Sequence, residues 1–184
     1  MVRLTGAWLG VLAVLLVAPA CGGGAITGPS NPFEFKNCEL PTYGAMTATL
    51  DGTSWVPVMT RARAGVSYVG LEASDCTYSV MIDIKGFRGL GTYEVAQGEV
   101  SVDLGCDGTP CGWRWIAGDV GRFAPDIRGS GSVMVTSYTA RTQDDGSGKI
   151  EGTFSFTLVP NLTGATGTRV IANGRFGSAF TGFY

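Results

Sequence analysis

Hydrophobic and polar residues alternate at every second position along most of the chain after residue 44. In TYSVMIDIK (77–85), Tyr78, Val80, Ile82 and Ile84 share one face, and polar residues occupy most of the other. Successive side chains of a β-strand point to opposite sides, so this period predicts strands with one buried face. Similar stretches recur at 68–73, 130–138, 149–159 and 169–176. We therefore expect about eight or nine strands and no helix after the first 20 residues.

The alternation also predicts which side chains face the interior of the fold. The predicted inward positions include Val69, Leu71, Ala73, Ile150, Phe154, Phe156, Leu158, Val170, Ala172 and Phe176. The predicted outward positions include Glu151, Thr153, Ser155, Thr157, Arg169, Asn173 and Arg175. An antiparallel sheet with one apolar face buries that face by closing on itself or by packing on a second sheet. The predicted fold class is therefore all-β, a single antiparallel β-barrel or β-sandwich, and the pattern is the same for both.

Turn signals and composition agree with a chain of many short strands. Asp51-Gly52 separates two strand-like runs in MTATLDGTSWVPV (46–58), which predicts a tight hairpin. The chain has 29 glycines and a formal net charge of −2, with both signs scattered and no basic run. Because phosphate neutralisation by Lys and Arg dominates nucleic-acid binding, this charge pattern argues against a nucleic-acid partner.

The first 20 residues have the pattern of a secretory signal peptide. A basic start at Arg3 is followed by an apolar run over 4–17, and small residues precede Cys21. A run this short indicates an export signal rather than a membrane-spanning helix. APAC followed by GGG (18–24) resembles the lipobox of bacterial lipoproteins, which implies lipidation of Cys21 and a membrane-anchored protein facing the periplasm or the cell exterior. The alternative is ordinary cleavage near Ala20, which leaves Cys21 free.

The chain has five cysteines, an odd number for an exported protein. With Cys21 as the lipid carrier, the remaining four can form two disulfides in an oxidising compartment. In GCDGTPCG (105–112), Asp-Gly and Pro bend the chain, so we predict that Cys106 pairs with Cys111, which leaves Cys38 to pair with Cys76. A zinc site is the competing interpretation. Paired C-x-x-C spacing and histidine are both absent from the sequence, so no metal or other cofactor is predicted.

The segment after Cys21 is predicted to be a tether. GGGAITGPSNPFEF (22–35) is rich in Gly and Pro and has no hydrophobic period. As a flexible coil, about 22 residues would span about 25 Å on average. The predicted organisation is therefore a signal peptide over 1–20, a lipid-anchored tether over 21–43 and an all-β domain over 44–184.

Four short motifs occur in order along this predicted domain. They are ATLDGTSW (48–55), GTY (91–93), GKIEGTFSF (148–156) and NGRF (173–176). The ordered set resembles a family of uncharacterised bacterial envelope lipoproteins, in which an all-β domain follows the lipobox. The resemblance covers most of 46–177, and it implies an all-β fold and a tethered location. It brings no catalytic residue to this chain.

One stretch, TQDDGSGKIEGTFSF (142–156), has some features of a calcium-binding loop. With Gly148 at the sixth position of an EF-hand loop, positions one and twelve are Gln143 and Phe154, where the motif places carboxylates. We therefore interpret the stretch as a β-turn followed by a strand. A looser site formed by Asp144, Asp145 and Glu151 is the alternative.

The sequence offers little for catalysis. There is no histidine, the commonest general base, and the GSGS around Ser130 and Ser132 lacks the G-x-S-x-G order of a nucleophile elbow. A carboxylate pair is the remaining route. Asp83 and Glu151 lie in strands on faces that we predict to be exposed to solvent. We predict that the protein is not an enzyme.

The strongest candidate for binding is an aromatic cluster in CGWRWIAG (111–118). Trp113 and Trp115 fall on one face of a strand with Arg114 on the other. Two tryptophans could form a stacking surface for a sugar or another flat ligand. The alternative is that they fill the core together with Trp55. Arg61 and Arg63 are also two residues apart, and we interpret that pair as a solvated face rather than an anion site.

The predicted function is a tethered binding or structural module of the cell envelope. The first hypothesis is a protein-interaction module that uses loops between strands and binds envelope proteins. The second is a barrel that holds a small apolar or sugar ligand inside. A filled interior would argue against the second hypothesis, and an internal cavity lined by aromatic residues would favour it.

Overall fold

The alternating stretches form antiparallel strands, as predicted. The computed structural model describes residues 40–106, 114–119, 127–140, 148–161 and 164–181. Most of these residues lie in strands, and a short 3₁₀ turn covers Val95–Gln97. The strands are β1 (Gly44–Leu50), β2 (Thr53–Trp55), β3 (Met59–Gly65), β4 (Tyr68–Ser74), β5 (Tyr78–Lys85), β6 (Gly91–Glu94), β7 (Val100–Cys106), β8 (Trp115–Asp119), β9 (Ile127–Arg128), β10 (Ser130–Thr139), β11 (Lys149–Pro160) and β12 (Arg169–Ala179).

These strands make one curled antiparallel sheet, so the fold is a half-barrel. Nine strands follow each other in the order β2-β1-β12-β11-β8-β7-β5-β4-β3, while β10 pairs with β11 and β6, and β9 pairs with β8. The sheet branches at β11. The first part of β11 pairs with β10, and the last residues of β11, Val159 and Pro160, pair with β8.

The curl brings β3 back towards the end of β12. Ala62 in β3 forms an isolated bridge with Phe180, and the Thr181 N–H donates to the Ala62 carbonyl at 2.8 Å. The Tyr43 N–H donates to the Thr60 carbonyl, also at 2.8 Å. The outer edge of β3 is therefore partly hydrogen-bonded by the two chain segments that flank β1 and β12.

The face inside the curl is filled with side chains. Leu71, Ile82, Leu104, Ile150 and Leu158 are each completely buried and belong to one continuous cluster. Burying a side chain of this size contributes about 1.5–3 kcal/mol. The predicted inward positions in β4, β5 and β11 are confirmed, except that Tyr78 at the start of β5 is only partly buried, and the apolar core occupies the interior of the half-barrel.

The prediction for β12 was wrong at its first residues. Val170, predicted inward, is 43% exposed, and Ile171 is buried instead. Phe154 of β11 pairs with Gly174 of β12, and Phe156 pairs with Ile171. Two residue steps on β11 therefore face three on β12, so β12 carries one extra residue there. Such a bulge shifts the inside-outside phase by one residue.

The structure describes the side chain of one of the five cysteines. Cys76 is disulfide-bonded. Cys21, Cys38, Cys111 and the side chain of Cys106 lie outside the described residues, so the pairings Cys38–Cys76 and Cys106–Cys111 stay predictions, as does lipidation of Cys21. The signal peptide and most of the tether lie outside the described residues too.

Two further predictions concern single segments. In 142–156, the part from Lys149 onwards is strand β11, while Asp144 and Asp145 lie outside the described residues. A search of the described segments for a helix long and apolar enough to span a membrane found none.

Candidate functional site

A groove of about 330 Å³ lies at one end of the curled sheet. It forms where the β1–β2 turn, the β4–β5 turn and the start of β12 meet, and we call this part of the molecule the groove end. The groove, named here the Trp55 groove, is lined by Leu50, Asp51, Thr53, Ser54, Trp55, Asp75, Tyr78 and Arg169. Its floor is apolar and aromatic, and its rim carries two carboxylates and one guanidinium.

The Asp51-Gly52 turn positions the first carboxylate. Asp51 and Gly52 have φ angles of 51° and 82°, as a two-residue hairpin turn requires, which confirms the predicted hairpin. The Asp51 carboxylate accepts hydrogen bonds from the Val170 N–H at 2.8 Å and from the Arg169 guanidinium. Because β1 pairs with β12, residues that are 118 positions apart meet here.

The pKa of Asp51 reflects this arrangement. Partial burial would raise the pKa, but the hydrogen bonds from Arg169 and Val170 and the guanidinium charge outweigh it and hold the pKa below the usual value. The carboxylate is therefore ionised at neutral pH, and it fixes the position of Arg169 on the rim.

Arg169 also lies over an aromatic ring. Its guanidinium carbon is 4.6 Å from the centre of the Trp115 ring, within the range of a cation–π contact. Trp115 is only 5% exposed, and its indole N–H donates to the Gly167 carbonyl at 3.2 Å. Trp115 is therefore a core residue that supports the rim from below.

The β4–β5 turn supplies the opposite rim. One oxygen of Asp75 accepts the backbone N–H groups of Thr77 and Tyr78, at 2.8 and 2.7 Å. The other oxygen accepts the Trp55 indole N–H at 2.8 Å. Asp75 therefore holds its own turn together and also fixes the Trp55 ring at the floor of the groove.

Cys76 lies at the tip of this turn. It has a φ of 70°, unusual for a residue with a side chain, and its N–H donates to the Ser74 hydroxyl at 3.1 Å. It is also disulfide-bonded. The residues on either side, Asp75 and Thr77, belong to the hydrogen-bond network of the turn, so the disulfide restrains the wall of the Trp55 groove.

The predicted Trp113–Trp115–Arg114 cluster is only partly assembled at this site. Trp115 is at the groove end but buried, and Trp113 lies outside the described residues. Arg114 points to the opposite side of the sheet, where it pairs with Asp103. The alternative interpretation, core packing, therefore holds for Trp115, and Trp55 is buried as well.

The outer face of β3, β4 and β5 carries a charged network. Arg61 and Arg63, predicted as a solvated face, both bind Glu72, whose side chain is only 6% exposed. On the neighbouring strands, the Tyr68 hydroxyl donates to Asp83. Burial and this hydrogen bond raise the pKa of Tyr68 above its usual value. These arginines are therefore engaged within the protein.

Two other grooves lie on outer faces of the sheet. One, of about 190 Å³, includes Asp83, Asp103 and Arg114, and another, of about 340 Å³, includes Ser132, Thr153 and Arg175. Within the described segments, no three acidic, Cys or His side chains cluster closely enough to hold a metal ion. The smaller groove also combines apolar side chains, such as Met81 and Ile116, with charged groups, but neither groove is lined by an indole or a phenol ring as the Trp55 groove is.

Most residues of this site could not be predicted from the sequence. The local pattern indicates Trp55 only as a core residue and Asp51 only as a turn residue, and it gives no role to Asp75. The Asp-Gly turn placed Asp51 at a strand end, but local pattern gave no sign that Arg169 lies beside it. That contact depends on the pairing of β1 with β12.

Comparison of the chain with protein-family models, with curated proteins and with solved structures found no match. The resemblance to envelope lipoproteins therefore stays a prediction.

Proposed function

We propose that the protein is a tethered, non-catalytic binding domain of the cell envelope, and that the Trp55 groove takes up an anchoring side chain of a protein partner. The observation that carries this proposal is the composition of the groove. Trp55, Tyr78 and Arg169 are of the residue types that dominate the energetics of protein interfaces. An apolar floor with a charged rim suits a side chain that has an apolar body and a polar group.

The filled interior supports binding at the surface rather than inside a barrel. Side chains such as Leu71 and Leu104 occupy the centre of the half-barrel and are completely buried. A sugar in the Trp55 groove is the second candidate, because Asp51 and Asp75 supply hydrogen-bond acceptors next to aromatic rings. The groove volume of about 330 Å³ lies at the lower end of the range for small-ligand sites.

The tether is part of the proposal. The described chain begins at residue 40 and enters the sheet at Gly44, whereas the Trp55 groove lies beyond Leu50 at the other end of β1. Seven residues of strand separate the two ends by about 20 Å. The residue at which the chain enters the sheet, Gly44, and the Trp55 groove therefore lie at opposite ends of β1.

A photo-crosslinking experiment in the native envelope tests this function. A photoreactive residue replaces Thr53, which is exposed and lines the groove, and the control carries it at Thr136, which is exposed on β10 away from the groove. We expect a discrete protein adduct from position 53 that disappears with Arg169→Ala, and none from position 136. Equal crosslinking from both positions would contradict the proposal. A bound sugar mass in native mass spectrometry, without a protein adduct, would favour the second candidate.

A further inference from the structure

The outer face of β10, β11 and β12 carries a groove of about 340 Å³, which we call the Arg175 groove. Ser132 of β10 lies opposite Ser155 of β11, and Met134 lies opposite Thr153. On the other side of β11, Thr153 lies opposite Arg175 of β12. The side chains that line this groove include those of Ser132, Met134, Thr153, Ser155, Asn173 and Arg175.

A β-bulge brings Asn173 to this groove. β12 carries one extra residue against β11, and it carries an extra residue against β1 as well, where Thr47 lies opposite Arg175 and Thr49 lies opposite Ala172. A bulge re-aims a side chain relative to the regular alternation of a strand. Asn173 and Arg175 are both exposed and both line the groove, so an amide and a guanidinium belong to the same surface.

The backbone at Asn173 is in the left-handed region, with a φ of 53°. Glycine adopts this conformation without steric cost, and asparagine is one of the few other residues that tolerate it. The groove therefore keeps an amide side chain at a position where glycine would suit the backbone better. Backbone outliers of this kind concentrate at functional sites.

The polar side chains of the Arg175 groove are not engaged within the protein. Arginines on other surfaces, such as Arg61 and Arg114, are ion-paired with carboxylates. Arg175 has neither an ion pair nor a hydrogen bond to any other residue in the described part of the chain. The same holds for the side chains of the four other polar residues that line the groove, Ser132, Thr153, Ser155 and Asn173.

The charges on this face balance one another. The exposed charged residues that share it with Arg175 are Glu94 of β6, Lys149 and Glu151. The remaining charged residue of these strands, Arg169, is ion-paired at the groove end. A phosphate or another small anion at Arg175 would also meet the field of two carboxylates on the same face. Charge therefore favours a neutral ligand.

The composition of the groove favours a sugar over a side chain of a protein. Aromatic residues and arginine dominate the binding energy of protein interfaces, and serine and threonine are under-represented among those residues. The Arg175 groove consists mainly of hydroxyl and amide groups, which both donate and accept hydrogen bonds. A sugar presents the same mixture of donors and acceptors. Met134, which is 45% exposed, offers an apolar surface to the C–H groups of a sugar ring.

We infer that the Arg175 groove binds a neutral oligosaccharide, whose hydroxyl groups bond to Arg175, Asn173 and the serine and threonine hydroxyls. This site is separate from the Trp55 groove, and it depends neither on the proposed protein partner nor on the tether.

Heteronuclear NMR of the full chain tests this site with three neutral probes, cellotetraose, maltotetraose and chitotetraose. We expect at least one of them to shift the resonances of the Asn173 side-chain amide and the Arg175 Nε–H. Arg175→Ala should weaken that binding about tenfold and Asn173→Gly about threefold, because a hydrogen bond from a charged group contributes more. Glycine fits the φ of position 173, so this variant removes only the side chain.

Lys149→Ala is the matched control, because it removes an exposed cation from the same face outside the groove, and it should leave sugar binding unchanged. An equal loss for Lys149→Ala and Arg175→Ala, or no shift with any of the three sugars, would overturn the inference. Shifts with inorganic phosphate alone would also overturn it, because the ligand would then be an anion. If the sugars shift the Trp55 indole N–H instead, they bind in the Trp55 groove, and this inference fails while the second candidate under the proposed function gains.

Discussion

The two ends of this half-barrel are held together by different kinds of contact. At the groove end, the polar groups of Asp51, Asp75 and Arg169 are joined to one another or to backbone, and two indoles lie beneath them. At the opposite end, which contains the β3–β4 turn and the loop before β6 and which we call the entry end, the Phe87 and Tyr93 rings stack on each other, and Val66 and Leu90 are exposed. A network of charged partners holds one end, and ring packing holds the other.

The two kinds of contact predict different sensitivities to mutation. Truncating a side chain in a packed ring cluster lowers the stability of the protein, because the cavity that remains has no atoms to fill it. Half-exposed ion pairs lose little when broken, since water replaces the partner. The entry end should therefore be sensitive to truncation, and the groove end should be sensitive to changes in its turn and its charges.

The largest effect is expected for Tyr93→Ala at the entry end. Tyr93 is completely buried and carries both the stack with Phe87 and two hydrogen bonds. Its truncation should lower the free energy of unfolding by about 3–5 kcal/mol, measured by urea denaturation. Tyr93→Phe keeps the ring and loses the hydroxyl, so it should cost about 1–2 kcal/mol. Equal costs for the two variants would show that the hydroxyl, not packing, holds this end.

Loss of the disulfide at Cys76 should act on the groove end. Cys76→Ser removes a restraint on a turn with a positive φ, and the expected cost is about 2–4 kcal/mol. Hydrogen exchange should accelerate most at the amides of Thr77 and Tyr78, which donate to Asp75. The Arg88 amide at the entry end is the internal control. If both ends accelerate equally, the two ends are not independent.

A smaller effect is expected at the rim of the Trp55 groove. Arg169→Met removes both the contact with Asp51 and the contact with the Trp115 ring. About a third of each charged side chain is exposed, so solvent screening should keep the loss in the free energy of unfolding to about 1 kcal/mol. A double-mutant cycle with Asp51→Asn measures the part that belongs to the ion pair. A coupling energy above about 2 kcal/mol would mean that the pair is less solvated than the structure indicates.

The strands could be predicted from the sequence more completely than the candidate site. The two-residue period in β5 and β11 identified their buried faces, because each strand carries that information within itself. The extra residue in β12 disturbed the same reasoning, and Val170 was placed inside although Ile171 is the buried residue. A bulge depends on the partner strand and leaves no local period.

The candidate site depends on partner strands in the same way. Asp51 and Arg169 meet through the β1–β12 pairing, and Trp55 and Asp75 meet between two separate turns. Aromatic spacing drew attention to Trp113 and Trp115, but Trp115 proved to be buried beneath Arg169. Residue type alone therefore indicated that aromatic side chains could form a site. Where these side chains lie in the protein depends on contacts between strands that are distant in sequence.

The smallest predicted effect is a pH dependence of stability that arises from one carboxylate at each end. Asp51 at the groove end and Glu99 at the entry end both have a lowered pKa in the folded protein. For Glu99 the causes are the hydrogen bond from the Glu94 N–H and then the Arg88 guanidinium, against a small opposing effect of burial. A lowered folded-state pKa stabilises the protein above the unfolded-state pKa, and that contribution disappears as the pH falls through the folded-state value.

Asp51→Asn and Glu99→Gln should therefore destabilise the protein slightly at pH 7, by less than about 1 kcal/mol each after solvent screening. Both differences from wild type should shrink as the pH falls below the ordinary carboxylate pKa of about 4 and through the lowered folded-state pKa, as measured by urea midpoints over the acid range. Hydrogen exchange adds the location, since Asp51→Asn should affect the Val170 amide and Glu99→Gln the Glu94 amide. A difference that grows in acid would reverse the sign for that carboxylate, and would mean that its charge is unfavourable in the folded protein.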